Sequence, residues 1–192
     1  MRAETRLVDA PLPTLRAGGL MLRALAAEDA PAIHAALQDV EVARNTLSIP
    51  WPYPPGAAEG FIAAEAAAWA AGKRATWGIV AADAPSPAAV CGVIGLVFRP
   101  MHRKAEVGYW LARGVWGRGH ATAAVRLVVA CAFDALGLHR LEAYHFTENP
   151  ASGRVLAKAG FQCEGLRRGA VWRDDVPRDV VGYAMLRDDP RS

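Results

Sequence analysis

Cysteine is scarce in this chain. There are three in 192 residues, Cys91, Cys131 and Cys163, far apart and set in apolar or mixed surroundings. Such an odd, scattered set excludes a disulfide framework and a CxxC metal site, and it fits buried thiols in a reducing compartment. An excess of one charge is also lacking: 22 Lys and Arg face 19 Asp and Glu, for a net charge of +3. With no basic tract, nothing calls for a nucleic-acid partner, whereas a phosphate-bearing small molecule is compatible with the balance. A continuous apolar leader is missing too. The first stretch carries Arg2, Glu4, Arg6, Asp9 and Arg16 with two prolines, so neither a signal peptide nor a membrane anchor is expected, and the expected location is the cytoplasm. Internal repeats, low-complexity tracts and linkers are absent as well.

What is present is apolar bulk. A chain of this length that is 53% hydrophobic supports one well-buried core, so a single domain is expected over 1–192, with 1–16 as an irregular N-terminal extension. Leu20, Leu22 and Leu25 give a strand rhythm around Gly19 to Leu25. Glu28 and Asp29 then open a helix in which Pro31 is tolerated and Ile33, Ala36, Leu37 and Val40 recur at helical spacing. The prolines of Ile49 to Gly56 forbid regular structure and leave a stiff loop displaying Trp51 and Tyr53. Ala57 to Ala71 reads as a helix with Phe61, Ile62, Ala68 and Trp69 as its buried stripe. Two apolar runs, Ala75 to Ala81 and Ala89 to Phe98, read as interior strands across a hairpin loop.

The densest information lies between Glu106 and Thr122. Lys104 to Leu111 alternates so that Glu106, Gly108 and Trp110 share one face and Val107, Tyr109 and Leu111 the other. A glycine in mid-strand marks a bulge or a close approach by another backbone or a ligand. The strand runs into Val115-Trp116-Gly117-Arg118-Gly119-His120-Ala121-Thr122, a glycine turn opening a helix that reaches about Leu136. Few arrangements hold a phosphorylated group through backbone N–H groups in this way. The third glycine of a dinucleotide fingerprint and the Gly-Lys-Ser/Thr of a nucleotide-hydrolysing loop are both missing, which disfavours a nucleotide-binding domain. Further on, His139 to Phe146 reads as a strand. Asn149 and Pro150 cap and start a helix that Gly160 stops, and two final strands flank a turn at Arg173 to Asp175.

The loop from Val115 to Thr122 resembles the pyrophosphate-binding loop of the GNAT N-acetyltransferases, in particular the Rim-type branch that acetylates ribosomal-protein N-termini. The likeness extends in register over most of the chain: Leu20 to Leu25, Trp51-Pro52-Tyr53, Ala105 to Leu111, Asn149-Pro150-Ala151-Ser152 and Lys158-Ala159-Gly160-Phe161. The wider superfamily has Gln or Arg where this chain has Trp116, a position at which this branch often carries an aromatic. The resemblance implies an α/β fold, with a mixed, mostly antiparallel central sheet, helices on both faces and a splay at the acyl-CoA site. It also implies acetyl-CoA as co-substrate without a metal, and acetyl transfer to a primary amine by direct attack on the thioester. An N-terminal peptide amine is favoured, while an amino sugar, a polyamine or another small amine stays open.

By that resemblance, Trp116, Gly117, Arg118, Gly119, His120, Ala121 and Thr122 cradle the pyrophosphate, with Arg118 adding charge. The pantetheine arm lies beside the strand from Glu106 to Leu111, with Trp110 and Leu111 as cofactor contacts, and bonds to its exposed edge like an added strand. Asn149 contacts the pantetheine, Ser152 meets the departing thiolate, and Lys158 reaches the adenosine phosphate. Glu106 is the first choice for the base, against the plainer reading of a strand-end salt bridge with Arg103 or Lys104. His120 and His145 are alternatives, because the glutamate that some members carry between the last two strands has no counterpart around Gly169 to Trp172. Trp51, Tyr53 and Trp172 are expected to line the acceptor cleft. A second reading, a non-catalytic acyl-CoA sensor or partner-binding module, would keep the glycine loop without a competent base. No membrane partner is expected, and oligomeric state, a homodimer included, stays open.

Overall fold

The computed structural model describes residues 10–86 and 89–191. Arg2, Glu4, Arg6 and Asp9, on which the N-terminal expectation leaned, lie outside the described residues, as does Pro87 of the expected hairpin loop. The strands are β1 (Leu15–Ala17), β2 (Leu20–Ala24), β3 (Arg74–Ala81), β4 (Gly92–Arg99), β5 (Lys104–Leu111), β6 (Arg140–Phe146), β7 (Gln162–Arg173) and β8 (Val176–Leu186). The helices are α1 (Ala30–Leu37), α2 (Val40–Ala43), α3 (Ala57–Ala70), α4 (His120–Ala130) and α5 (Pro150–Lys158). One eight-stranded sheet takes the order β1-β2-β3-β4-β5-β6-β8-β7. Every neighbouring pair is antiparallel except β5 and β6, which are parallel. The mixed α/β architecture expected from the sequence is the one observed.

The parallel pair exists because β5 and β6 are joined by a helical crossover through α4. Alternation along the strands then divides the apolar side chains between two cores. On one face Trp77, Ile79, Leu96, Val107 and Leu111 pack with Val125 and Val128 of α4 and Leu156 of α5. On the other, Val80, Val90 and Val93 pack with Ile33 and Leu37 of α1 and Ile62 of α3, and Trp110 leans against them. Buried side chains of this size contribute about 1.5–3 kcal/mol each relative to exposure.

Several expected boundaries shift for physical reasons. The strand β1 takes in Leu15 and Arg16, inside the stretch expected to be irregular, by pairing with β2. The chain just before it is tied down by two indoles: Trp69 donates to the Ala10 carbonyl at 3.0 Å and Trp77 to that of Pro13 at 2.8 Å. Asp29, expected in the first turn of the helix, is the N-cap residue of α1, 4% exposed, and takes a two-pronged contact from Arg23 at 2.7 Å per bond. Strand β4 begins at Gly92 rather than Ala89. In α3, Ile62 and Ala68 are buried as expected, but the other buried positions are Ala58 and Glu65, while Phe61 and Trp69 are only half-buried. The helix from α4 ends in a π-helical turn, Cys131–Ala135.

The feature that positions everything below is a split in the sheet. β5 and β6 pair only where Lys104, Ala105 and Glu106 face Arg140, Leu141 and Glu142. Beyond that point β5 stays bonded to β4 as far as Leu111, and β6 to β8 as far as Phe146. Each strand therefore remains supported on its outer side, while its inner edge opens into a wedge.

Candidate active site

A cavity of about 680 Å³ fills the wedge. Of the residues singled out from sequence, it brings together Glu106, Trp110, Leu111, Trp116, Gly117, Gly119, His120, Ala121, Thr122, Asn149, Ser152 and Lys158. Four others lie elsewhere. Arg118 does not line the cavity: its guanidinium donates to the Asp83 carbonyl at 2.7 Å and tethers the glycine turn to the β3–β4 loop. Tyr53 is 6% exposed and belongs to the core on the α1 face, which its aromatic ring helps to fill. Trp51 is half-exposed, and its indole donates to the Gln38 carbonyl at 3.0 Å. Trp172 is 69% exposed near the end of β7 and lines no part of the cavity.

The glycine turn is built for close approach. Gly117 and Gly119 have φ of 77° and 84°, a region open to glycine at little cost. A Cβ placed on either would meet nothing within 4 Å, so the space over the turn is clear. Gly119 is the N-cap of α4 and brings no side chain to satisfy the first-turn N–H groups, which leaves the positive end of an eleven-residue helix facing the cavity. Trp116 anchors the turn by donating its indole N–H to the Leu111 carbonyl at 2.7 Å. His120 Nε2 lies 2.9 Å from Asp83 Oδ1, out of line for a hydrogen bond. These residues fit a diphosphate, and the unpaired inner edge of β5 past Glu106 fits a peptide-like arm added as a strand.

The two faces of β5 carry different chemistry. On the α4–α5 face, the Tyr109 hydroxyl is 2.8 Å from Ser152 Oγ. Burial pushes the Tyr109 phenol up to about 12, against the opposing effect of the Ser152 hydrogen bond, so the tyrosine stays protonated and able to donate. Ser152 stands in the first turn of α5, where the Asn149 side chain accepts from its N–H at 3.3 Å. Asn149 thus caps the helix and borders the cavity at once. Tyr109 was not singled out as a site residue from sequence. Its signal was its place on the face opposite Glu106, which acquires meaning only when α5 is folded against it.

On the other face stands Glu106, the last residue of β5 to pair with β6. Burial pushes its carboxyl up from the ordinary glutamate value, Arg99 pulls the other way, and Glu142 adds to the rise. The strand-end salt bridge is not formed. Lys104 pairs with Glu142 at 2.9 Å, and Arg103 donates to the Gly137 carbonyl. His145 is buried, with Nδ1 2.7 Å from the Phe146 carbonyl oxygen and its ring against Tyr183. Gly108 follows Glu106 on the same face. The register Gly95 to Gly108 is unbroken, so there is no bulge there; the glycine borders the cavity and a Cβ on it would meet nothing within 4 Å. With Gly95 beside it in β4, Gly108 floors a trough walled by Phe61, Glu65, Thr76 and Trp110. Glu65 is a wall residue that sequence missed, held by the Thr76 hydroxyl and by Arg74 at 2.9 Å.

Among the described residues, no group of three or more His, Cys, Asp or Glu is placed to hold a metal, and no helix is long and apolar enough to cross a membrane. Comparison with known proteins gives a family profile described as an acetyltransferase (GNAT) domain, which matches residues 19–162. An uncharacterized N-acetyltransferase of Bacillus subtilis, YoaA, is 34% identical over 181 residues, covering 91% of this chain and 97% of that protein. The ribosomal-protein-serine acetyltransferase of Escherichia coli is 30% identical over 89 residues, 46% of this chain and 50% of its own length. The solved structure of Mycobacterium smegmatis RimJ in complex with CoA-disulfide superposes with a TM-score of 0.76 at 26% identity, covering 91% of this chain and 86% of that one.

Proposed function

This chain belongs to the GNAT acetyltransferases, and from that premise we propose that it transfers the acetyl group of acetyl-CoA to a primary amine, the N-terminal amine of a protein or peptide. The observation that carries the reading is the wedge: one cavity joins an uncapped helix start, an open strand edge and a carboxylate with no ion-pair partner among the described residues. Acetyl-CoA, when bound, supplies an activated acyl group on a good leaving thiolate.

The chain's own residues then divide the work. The N–H groups of Gly117 to Thr122 hold the diphosphate at the positive end of α4, and Lys158 at the cavity rim adds positive charge. The free edge of β5 aligns the arm and offers strand N–H groups to the developing oxyanion. Ser152 donates its hydroxyl to the departing sulfur, and Tyr109 donates to Ser152 Oγ, which keeps the serine proton directed outward. On the opposite face Glu106 accepts the ammonium proton of the acceptor, directly or through a water. Its raised affinity for protons suits that step, because an amine is a stronger base than an ordinary carboxylate.

Mass-spectrometric detection of acetylated peptides, alongside thiol release from acetyl-CoA, tests the proposal. Acetylation confined to the α-amine of peptides supports it. Acetyl-CoA binding without thiol release, across peptides, polyamines and amino sugars, would instead favour the non-catalytic sensor.

A further inference from the structure

A second, smaller cavity of about 270 Å³ opens beside the first and shares Asn45 and Phe146 with it. Its remaining lining is Arg44, Arg173, Arg178 and Glu148, three cations against one anion. The arginines converge from distant parts of the chain: Arg44 follows α2, while Arg173 and Arg178 stand at the ends of β7 and β8 nearest their connecting turn. The Arg173 side chain is 10% exposed and donates to the Ala43 carbonyl at 2.9 Å, which pins the hairpin over the end of α2.

The acids that accompany these arginines do not account for them. Glu41 pairs with Arg44 and Asp174 with Arg173, but neither acid lines the cavity, and Asp174 is 84% exposed. Each of these pairs has one partner open to solvent, which weakens it. Glu148 reaches only one nitrogen of Arg178, Nη1 at 3.1 Å. The Arg178 Nε is buried with no hydrogen-bond partner among the described residues. The Arg178 side chain as a whole is 42% exposed, so a carboxylate entering the cavity meets the open part of the guanidinium, where charge-assisted hydrogen bonds form.

We propose that this pocket binds a carboxylate of the acceptor, so that the enzyme prefers peptides with Asp or Glu at the third or fourth residue. The inference rests on the peptide-amine reading above and extends it. The position follows from the fold. Tyr144 of β6 lines the main cavity and Glu148 the small one. Phe146, the last residue of β6, lines both and lies about 7 Å from Tyr144 at strand rise, so an extended peptide with its amine near Tyr144 brings its third or fourth residue to the small cavity.

The test compares kcat/KM for two peptides that differ only in Asp or Asn at the third residue, and again at the fourth. In parallel, calorimetry measures the affinity of the corresponding N-acetylated peptides. The Asp peptide is expected to lead by about tenfold at one of the two positions, and Arg178→Met should bring the ratio close to one. Arg44→Met, at an exposed side chain, should lower the ratio even if Arg178→Met fails to fold. Equal kcat/KM for the Asp and Asn peptides in the parent enzyme overturns the pocket. If neither peptide is acetylated, an Arg178-dependent preference for the acetylated Asp peptide supports the pocket while removing the peptide-acceptor reading. Equal or absent affinity in that case overturns the pocket too.

Discussion

Replacing Gly108 by valine separates the two faces of β5. The backbone there is regular strand, paired through Gly95, with no positive φ. The first added carbon meets nothing within 4 Å, so the carbon at which valine branches is accommodated without a clash. Removing a strand glycine contributes about 0.5–1 kcal/mol, and a β-branched residue suits the pleat. At this chain length the melting temperature should rise by about 1–4 °C. The new methyl groups lie on the Glu106 face, in the glycine-floored trough, and leave the Tyr109 face untouched. Acetyl-CoA affinity should therefore stay within about threefold, while kcat/KM for the amine falls by roughly 100-fold, the usual cost of a misplacement near 1 Å. Calorimetry with acetyl-CoA, a thermal melt and a thiol-release assay measure the three quantities. Full turnover with a raised melting temperature would refute the trough as the acceptor path. Lost cofactor affinity would refute the assignment of faces, and a lowered melting temperature would refute the open space.

Glu106→Gln should lower kcat by about 100-fold or more and abolish the acidic limb of the pH–rate profile, which in the parent lies above the ordinary glutamate range because burial raises the carboxyl; an unchanged profile would move the base elsewhere. The sign for stability is opposite to that for activity. A raised glutamate binds protons more tightly in the folded state, so its contribution is full below the unfolded value and is lost as pH rises through the folded one. Urea titrations at neutral pH should thus find the Gln variant at least as stable as the parent. Ser152→Ala and Tyr109→Phe should each slow thiol release by about tenfold, and the double variant should lose little more than Ser152→Ala alone, because the hydroxyls act in series; additive losses would show that they act apart. Gly119→Trp should abolish acetyl-CoA binding by filling the clear space over the helix start, with unchanged far-UV circular dichroism; retained affinity would sink the phosphate-loop assignment.

Local chemistry carried most of the element order. The alternation from Lys104 to Leu111, the Asn149-Pro150 helix start and the stop at Gly160 are signals written within a few residues, and the structure places those elements within one or two residues of expectation. The aromatic expectations fared differently. Trp51, Tyr53 and Trp172 looked equivalent as displayed rings, yet one donates to Gln38, one fills a core and one stays in solvent. Periodicity does not distinguish these fates, because each depends on what another part of the chain brings alongside. The same holds for Arg118, which sits in the phosphate-loop motif but turns to Asp83 across the β3–β4 loop.

What the sequence determined by itself was therefore what short-range rules decide, the glycine turn at a helix start and the two faces of β5, while the family came from a resemblance that runs along most of the chain. Three things waited for the tertiary structure. The wedge exists because β5 and β6 part after Glu106, an event of strand pairing between segments more than thirty residues apart. Tyr109 and Ser152 meet only across 43 positions, and Arg173 reaches Ala43 across 130. Contacts at such separations depend on the packing of the whole sheet, and no local pattern encodes which distant side chain that packing will deliver.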